Sequence, residues 1–166
     1  MAPGIRVLLF DLDGTLTDSR PGIVACIRHS LEQLSVACPA DDVLTSFIGP
    51  PLRGTFATLL GTSDTRLVEE ALRLYRVRYA STGLYENQVY EGIPEMLEAV
   101  RGPSSVMYVA TSKPAVYAER ILDHFGLGRH FVKVYGPALD GRFDNKADLL
   151  SHMLATEGIR PENALM

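Results

Sequence analysis

Apolar and polar positions change rhythm several times along the chain. Ile5-Arg6-Val7-Leu8-Leu9-Phe10 is a short, nearly continuous apolar run that stops abruptly at Asp11-Leu12-Asp13-Gly14-Thr15. That pattern predicts a buried parallel strand ending in a polar loop. From Pro21 the spacing becomes helical: Ile23, Ile27, Leu31 and Leu34 recur along one stripe, with Pro21 in the first turn and Ser19 upstream as a cap. A second helical pattern covers Ala40 to Phe47 and ends at Gly49-Pro50-Pro51, because proline offers no N–H to continue a helix. A third runs from Thr65 to Tyr79, with Leu67, Ala71, Leu74, Val77 and Arg78 stepping along it. Between Pro21 and about Glu86 the pattern predicts helices and loops but no strand.

The alternation changes at Gly92. Ile93 to Val100 reads as a helix, Ser105 to Ala110 as a buried strand, and Pro114 to Phe125 as a helix closed by Gly126. Phe131 to Tyr135 is a short strand, and a Gly/Pro/Asp loop leads to Asp144. Lys146 to Thr156 is helical, with Leu149, Leu150, Met153 and Leu154 as its apolar stripe and Gly158 at its end. Strands alternating with helices predict an α/β fold, a Rossmann-like parallel-sheet core built from residues 1–18 and 88–166. Residues 19–87 then form an inserted helical block. Ala164-Leu165-Met166 begins a further apolar run where the next strand is due, so the domain is expected to be truncated there.

Composition narrows the function classes. Of 166 residues, 46% are apolar and 22% charged, the balance of a chain that buries a real core. Sixteen basic residues against 20 acidic give a net charge of −4, which provides no field for gripping a nucleic-acid polymer or an anionic membrane. No apolar stretch approaches the ~18 residues of a membrane span, and the N-terminal run is too short for a signal peptide, so a cytoplasmic protein is expected. Cys26 and Cys38 have neither C-x-x-C pairing nor a histidine at ligand spacing and are expected as free thiols. His29, His124, His130 and His152 show no ligand spacing and read as bystanders. Arg73, Arg76 and Arg78 read as a solvated helix face. Oligomeric state is not legible.

The candidate chemistry sits at the predicted strand ends, where open α/β sheets bind ligands. Asp11 and Asp13 are two carboxylates in one loop: one could attack an electrophile, the other exchange a proton with the leaving group, and together they offer hard oxygens to Mg²⁺. The same pair could instead cap the loop and serve an Asx turn. Thr111 ends the second core strand, where its hydroxyl and nearby N–H groups could hold a phosphoryl oxygen, or where Thr111 or Ser112 could cap the helix at Pro114. Lys146 opens the last helix, a position the helix dipole disfavours; anionic charge at the site would explain it, and Arg142 is its rival.

Phe10-Asp11-Leu12-Asp13-Gly14-Thr15-Leu16-Thr17-Asp18-Ser19 resembles the first motif of the haloacid-dehalogenase-like hydrolase superfamily, nearest its phosphoglycolate-phosphatase-like and 5′-nucleotidase-like members. The resemblance implies Asp11 as a nucleophile that forms an aspartyl-phosphate, Asp13 as general acid and then base, and Thr15 as a support for Asp13. Val109-Ala110-Thr111-Ser112-Lys113-Pro114 resembles the second motif, which implies Thr111, with Ser112, as phosphate-binding and Lys113 in a supporting role. Lys146 stands where the third-motif lysine would. Mg²⁺ is the implied cofactor, held by Asp11 and Asp13 and by a fourth motif that would lie beyond Met166, so the 166-residue form is expected to be impaired. The helical block resembles a cap whose loop, with Gly49 and Arg53, would contact substrate. The implied activity is hydrolysis of a small phosphorylated metabolite. A sugar-phosphate mutase, or a silent form that binds a ligand or partner, is the alternative.

Overall fold

The computed structural model describes residues 6–102 and 105–166, so Ile5 of the first expected strand lies outside the described residues. In chain order β1 (Val7–Phe10) and β2 (Thr17–Asp18) precede four helices, α1 (Arg20–Gln33), α2 (Asp41–Thr45), α3 (Leu52–Leu60) and α4 (Thr65–Arg78). The last of these runs into a π-helical turn at Tyr79–Gly83. Then come β3 (Gln88–Val89), α5 (Ile93–Val100), β4 (Val106–Ala110), α6 (Ala115–His124), β5 (Lys133–Tyr135), α7 (Lys146–Glu157) and β6 (Ala164–Leu165). Two units result: Met1–Asp18 with Gln88–Met166, and Ser19–Asn87. Among the described residues no helix is long and apolar enough to cross a membrane.

The first unit is an α/β sheet in the order β5-β4-β1-β6, with every pairing parallel. Residues of alternate parity face opposite sides of such a sheet. Val7, Leu9, Tyr108, Ala110 and Tyr135 meet Leu149 and Met153 of α7 in one core cluster. Leu8, Met107 and Val109, on the other face, are buried as well. The chain steps from β1 to β4 to β5 and then returns to the far side of β1, so the order reverses at the central strand. Short antiparallel β2 and β3 pair Thr17 with Val89 and Asp18 with Gln88. This ribbon, which the sequence pattern does not reveal, sets the exit and re-entry of the chain side by side, so residues 19–87 are inserted between neighbouring points.

The second unit is helical, and its core is Ile23, Ile27, Leu31, Leu44, Phe56, Val68, Ala71, Leu72, Tyr75 and Tyr79. The stripe expected on α4 is corrected here. Val68, Ala71, Leu72 and Tyr75 are buried, while Leu67 is 36% and Val77 60% exposed. Both stripes have helical spacing, but only the buried one carries Tyr75, which meets Phe56 edge-on at 6.1 Å and stacks on Tyr79 at 5.3 Å. Gly49 lies in the turn before α3, a helix not separated from that turn in the sequence reading, and Arg53 sits in its first turn rather than in the loop. Ser19 precedes α1 without a side-chain capping bond.

Arg78 also departs from a solvated face. Its guanidinium grips Glu86 with Nη1 at 2.7 Å and Nη2 at 2.9 Å, and Nη1 lies 3.1 Å from Cys26 Sγ. The bond to Glu86 raises the Arg78 pKa and holds the Glu86 carboxyl below its ordinary value. Both cysteines are free thiols, Cys26 fully buried and Cys38 half-buried.

Backbones approach closely where α1 meets the π-turn. A Cβ on Gly22 would lie 2.1 Å from the Gly83 carbonyl oxygen and 2.9 Å from that of Glu86. Gly22→Ala is therefore expected to cost about 1–3 kcal/mol of stability, since backbone must give way. Gly54→Ala, within α3 with nothing near its Cβ, should add about 0.5–1 kcal/mol. Urea unfolding of the two variants checks the pair, and a Gly22→Ala change of only a few tenths would refute the close approach.

A second prediction concerns pH. Because the Glu86 carboxyl is depressed by Arg78, its contribution is present above the ordinary carboxylate pKa and is lost as pH falls through the lowered one. The Tm difference between the wild-type chain and Glu86→Gln should be full at about pH 6 and should shrink as pH falls through the lowered value. A pH-independent difference would contradict the ion pair.

Candidate active site

Parallel strands bring their carboxyl ends to one edge of the sheet, and register decides which residues stand level there. Phe10 of β1 pairs with Val109 of β4, so Asp11 is level with Ala110. The loop after β1 winds around one carbonyl: Leu12 O accepts the N–H groups of Thr15 at 3.3 Å, Leu16 at 2.9 Å and Thr17 at 3.1 Å. The Gly14 N–H donates to the Thr17 carbonyl at 2.8 Å, and Gly14 holds φ at +78°, a conformation that glycine adopts freely. The Leu12 side chain is fully buried, so it anchors the loop while Asp11 and Asp13 stand on either side of it.

Each carboxylate meets its own lysine. Lys146 Nζ lies 3.3 Å from Asp11 Oδ2 and donates to the Ala110 carbonyl at 2.6 Å. Lys113 Nζ lies 2.9 Å from Asp13 Oδ2, with the lysine side chain only 5% exposed. Asp11 Oδ1 accepts the Leu12 N–H at 2.8 Å. Asp13 Oδ1 is buried without a hydrogen-bond partner, an arrangement that costs free energy unless a cation or donor arrives. The two lysines reach the site by different routes. Lys113 follows β4 directly, and Lys146 opens α7, whose first turn is capped by Asn145 Oδ1 accepting from Ala147 N–H at 2.8 Å and Asp148 N–H at 3.3 Å.

Thr111 is 1% exposed. Its N–H donates to the Tyr135 carbonyl at 2.9 Å, and its Oγ1 accepts the Lys113 N–H at 3.2 Å. The hydroxyl thus shapes the turn that aims Lys113. Neither Thr111 nor Ser112 caps α6, which starts at Ala115 with no side-chain cap; Ser112 is exposed.

The structure therefore brings Asp11, Asp13, Thr111, Lys113 and Lys146 to the carboxyl ends of β1 and β4. Gly49 and Arg53 belong to the helical unit, where Arg53 pairs with Glu69 through Nε at 2.6 Å and Nη2 at 3.3 Å. Arg142 does not take Lys146's place: its guanidinium lies over the Phe143 ring at 6.0 Å. The direct grip of Lys113 on Asp13 is what sequence reasoning missed. The available signal was a lysine two residues past the strand-end threonine, in a chain whose first strand is followed by a loop with two acids. His130 is buried with neither ring nitrogen in a hydrogen bond; its Nε2 lies 3.8 Å from Glu98 Oε1, and burial lowers its pKa.

Lys113→Met is expected to destabilise the chain by about 2 kcal/mol or more, because it strands a largely buried carboxylate. Lys146→Met, at a pair that is 28% and 37% exposed, should cost within about 1 kcal/mol. Thermal unfolding of the two variants distinguishes them, and equal losses would contradict the difference in burial.

Comparison with known proteins bears on the whole chain. The family described as haloacid dehalogenase-like hydrolase matches residues 8–166. A 5′-nucleotidase of Pseudomonas aeruginosa is 47% identical over 159 residues, which is 96% of this chain and 72% of the relative. The tyrosine-protein kinase PtkA of Mycobacterium tuberculosis is 40% identical over 162 residues, 97% of this chain but only 54% of that protein, so the chain spans little more than half of its length. Among solved structures, one described as a predicted phosphatase from Clostridium acetobutylicum superposes with a TM-score of 0.88 at 34% identity, covering 98% of this chain and 74% of its own.

Proposed function

The chain belongs to the haloacid dehalogenase-like hydrolase family, and from that premise we propose that it hydrolyses phosphomonoesters of small metabolites through an aspartyl-phosphate on Asp11. The observation that carries this reading is the pair of carboxylates at the end of β1, each held by its own lysine. Asp11 Oδ attacks phosphorus in line, forming the acyl-phosphate bond as the bond to the leaving oxygen breaks, and Asp13 gives that oxygen its proton. Asp13 then takes a proton from the water that cleaves the acyl-phosphate. Lys146 offsets charge on the phosphoryl oxygens, and Thr111 and Ser112 at the end of β4 donate hydrogen bonds to them.

The donor set suits Mg²⁺: two hard carboxylates, one with a buried and unpartnered oxygen, where that ion accepts one or two carboxylates plus water and phosphate oxygens. Among the described residues no cluster of three or more acidic, His or Cys side chains is arranged to hold a metal, so Asp11 and Asp13 are the ligands this reading names. Bound there, Mg²⁺ would supply positive charge to the phosphate. The name of the Pseudomonas relative favours a nucleoside monophosphate as substrate, with phosphoglycolate the other choice. Leaving-group selection falls to the helical unit, with Gly49 and Arg53 as its candidates.

Hydrolysis of p-nitrophenyl phosphate and nucleoside monophosphates with Mg²⁺ tests the reading. Asp11→Asn should lower turnover by about 10³-fold or more without altering the fold, since an amide forms no acyl-phosphate. More than a few per cent of residual activity, with deamidation excluded, would refute the covalent route. Phosphate transfer from ATP to a tyrosine peptide, with no ester hydrolysis, would replace this reading by the one the mycobacterial relative's name carries.

A further inference from the structure

The first and last residues of helix α7 each carry the charge that its dipole disfavours. Lys146 is its first residue and Glu157 its last, whereas anions are favoured at helix N-termini and cations at C-termini. The sheet satisfies both. Lys146 Nζ donates to the Ala110 carbonyl and pairs with Asp11. The Glu157 carboxylate accepts the Tyr108 hydroxyl at 3.0 Å and the Tyr135 hydroxyl, and lies 3.4 Å from Lys133 Nζ. Tyr108 and Ala110 are two residues apart on β4, so both ends of the helix are tied to the same strand.

Between those ties Leu149 and Met153 pack into the core. Apolar contacts are non-directional. They hold the helix against the sheet but do not set its position along its own axis; the directional bonds at its ends do. A helix of this length, about 18 Å, transmits an axial shift from one end to the other. We infer that Glu157 is a positioning residue: its bonds to Tyr108 and Tyr135 set the depth at which the Lys146 ammonium meets Asp11. The Tyr135 hydroxyl is the main cause holding the Glu157 carboxyl below its ordinary value, with Tyr108 next, which keeps the acceptor ionised. The kinetic consequence rests on the phosphatase reading above; the geometric one does not.

The test is a double-mutant cycle between Glu157→Ala and Lys146→Ala. With p-nitrophenyl phosphate, Glu157→Ala should lower kcat about tenfold with KM changed less than about twofold, because Lys146 contributes most as charge develops in the transition state. Glu157→Gln, which keeps one acceptor oxygen, should recover part of that loss. In the Lys146→Ala background the Glu157 substitution should have no further effect. Additive losses, or an unchanged kcat with a lower Tm, would overturn the proposal. Tyr135→Phe removes a single bond and takes the place of Glu157→Ala if that variant does not fold.

Crystal structures of the same variants read the strap without turnover. Lys146 Nζ should move away from Ala110 O and Asp11, and an unmoved Lys146 overturns the proposal whatever the activity. A wild-type chain that hydrolyses no phosphomonoester would overturn the phosphatase reading and leave this structural arm to decide the strap.

Discussion

Two carboxylates in one short loop at the end of a buried strand repel each other, and the structure around them answers that repulsion. Asp11 and Asp13 flank a buried Leu12 and cannot separate without lifting it from the core. Each is instead given a lysine from a different element, Lys146 from the start of α7 and Lys113 from the end of β4. The parallel register makes this possible. With Phe10 level with Val109, one ammonium spans the Ala110 carbonyl and the Asp11 carboxylate. The charges balance in pairs, and one Asp13 oxygen is left buried and unpartnered, a position that calls for a cation or a donor from a ligand.

The same need to compensate charge organises α7. A lysine at its start and a glutamate at its end oppose the helix dipole, and both are tolerated because strand residues supply the partners. Polar bonds at the two ends and apolar packing between them divide the work: one sets position along the helix, the other holds it down. The helical unit relies on a different constraint. Its α1 meets the π-turn through Gly22 and Gly83 at a distance no side chain would permit. Arg78, on the helix leading into that turn, is fastened to Glu86 beside the point where the unit ends.

Apart from α3, the order and type of the longer elements were legible in the sequence because they rest on local periodicity. The continuous apolar run before Asp11 and the stripes of α1, α5 and α7 are each written within a dozen residues. The β2–β3 ribbon was not legible: its two-residue strands, far apart in the chain and partly polar, carry no period. The face that α4 buries was not legible either, because two apolar stripes compete on it and only the aromatic contacts of Tyr75 choose between them. Arg78 reads locally as one arginine of an exposed row, and its partner Glu86 lies beyond the helix.

By itself the sequence determined the α/β alternation, the helical insertion, and the residues that stand at the strand and helix ends: Asp11, Asp13, Thr111, Lys113 and Lys146. Those follow from periodicity and from the chemistry of residues near in the chain. Only the tertiary structure decided which lysine meets which aspartate, that Thr111 shapes the turn aiming Lys113, and that Glu157 closes on two tyrosines. Apart from the local turn at Thr111, such pairings join residues separated by 22 to 135 positions. They depend on strand register and on the seating of α7 against the sheet, and no local pattern encodes either one.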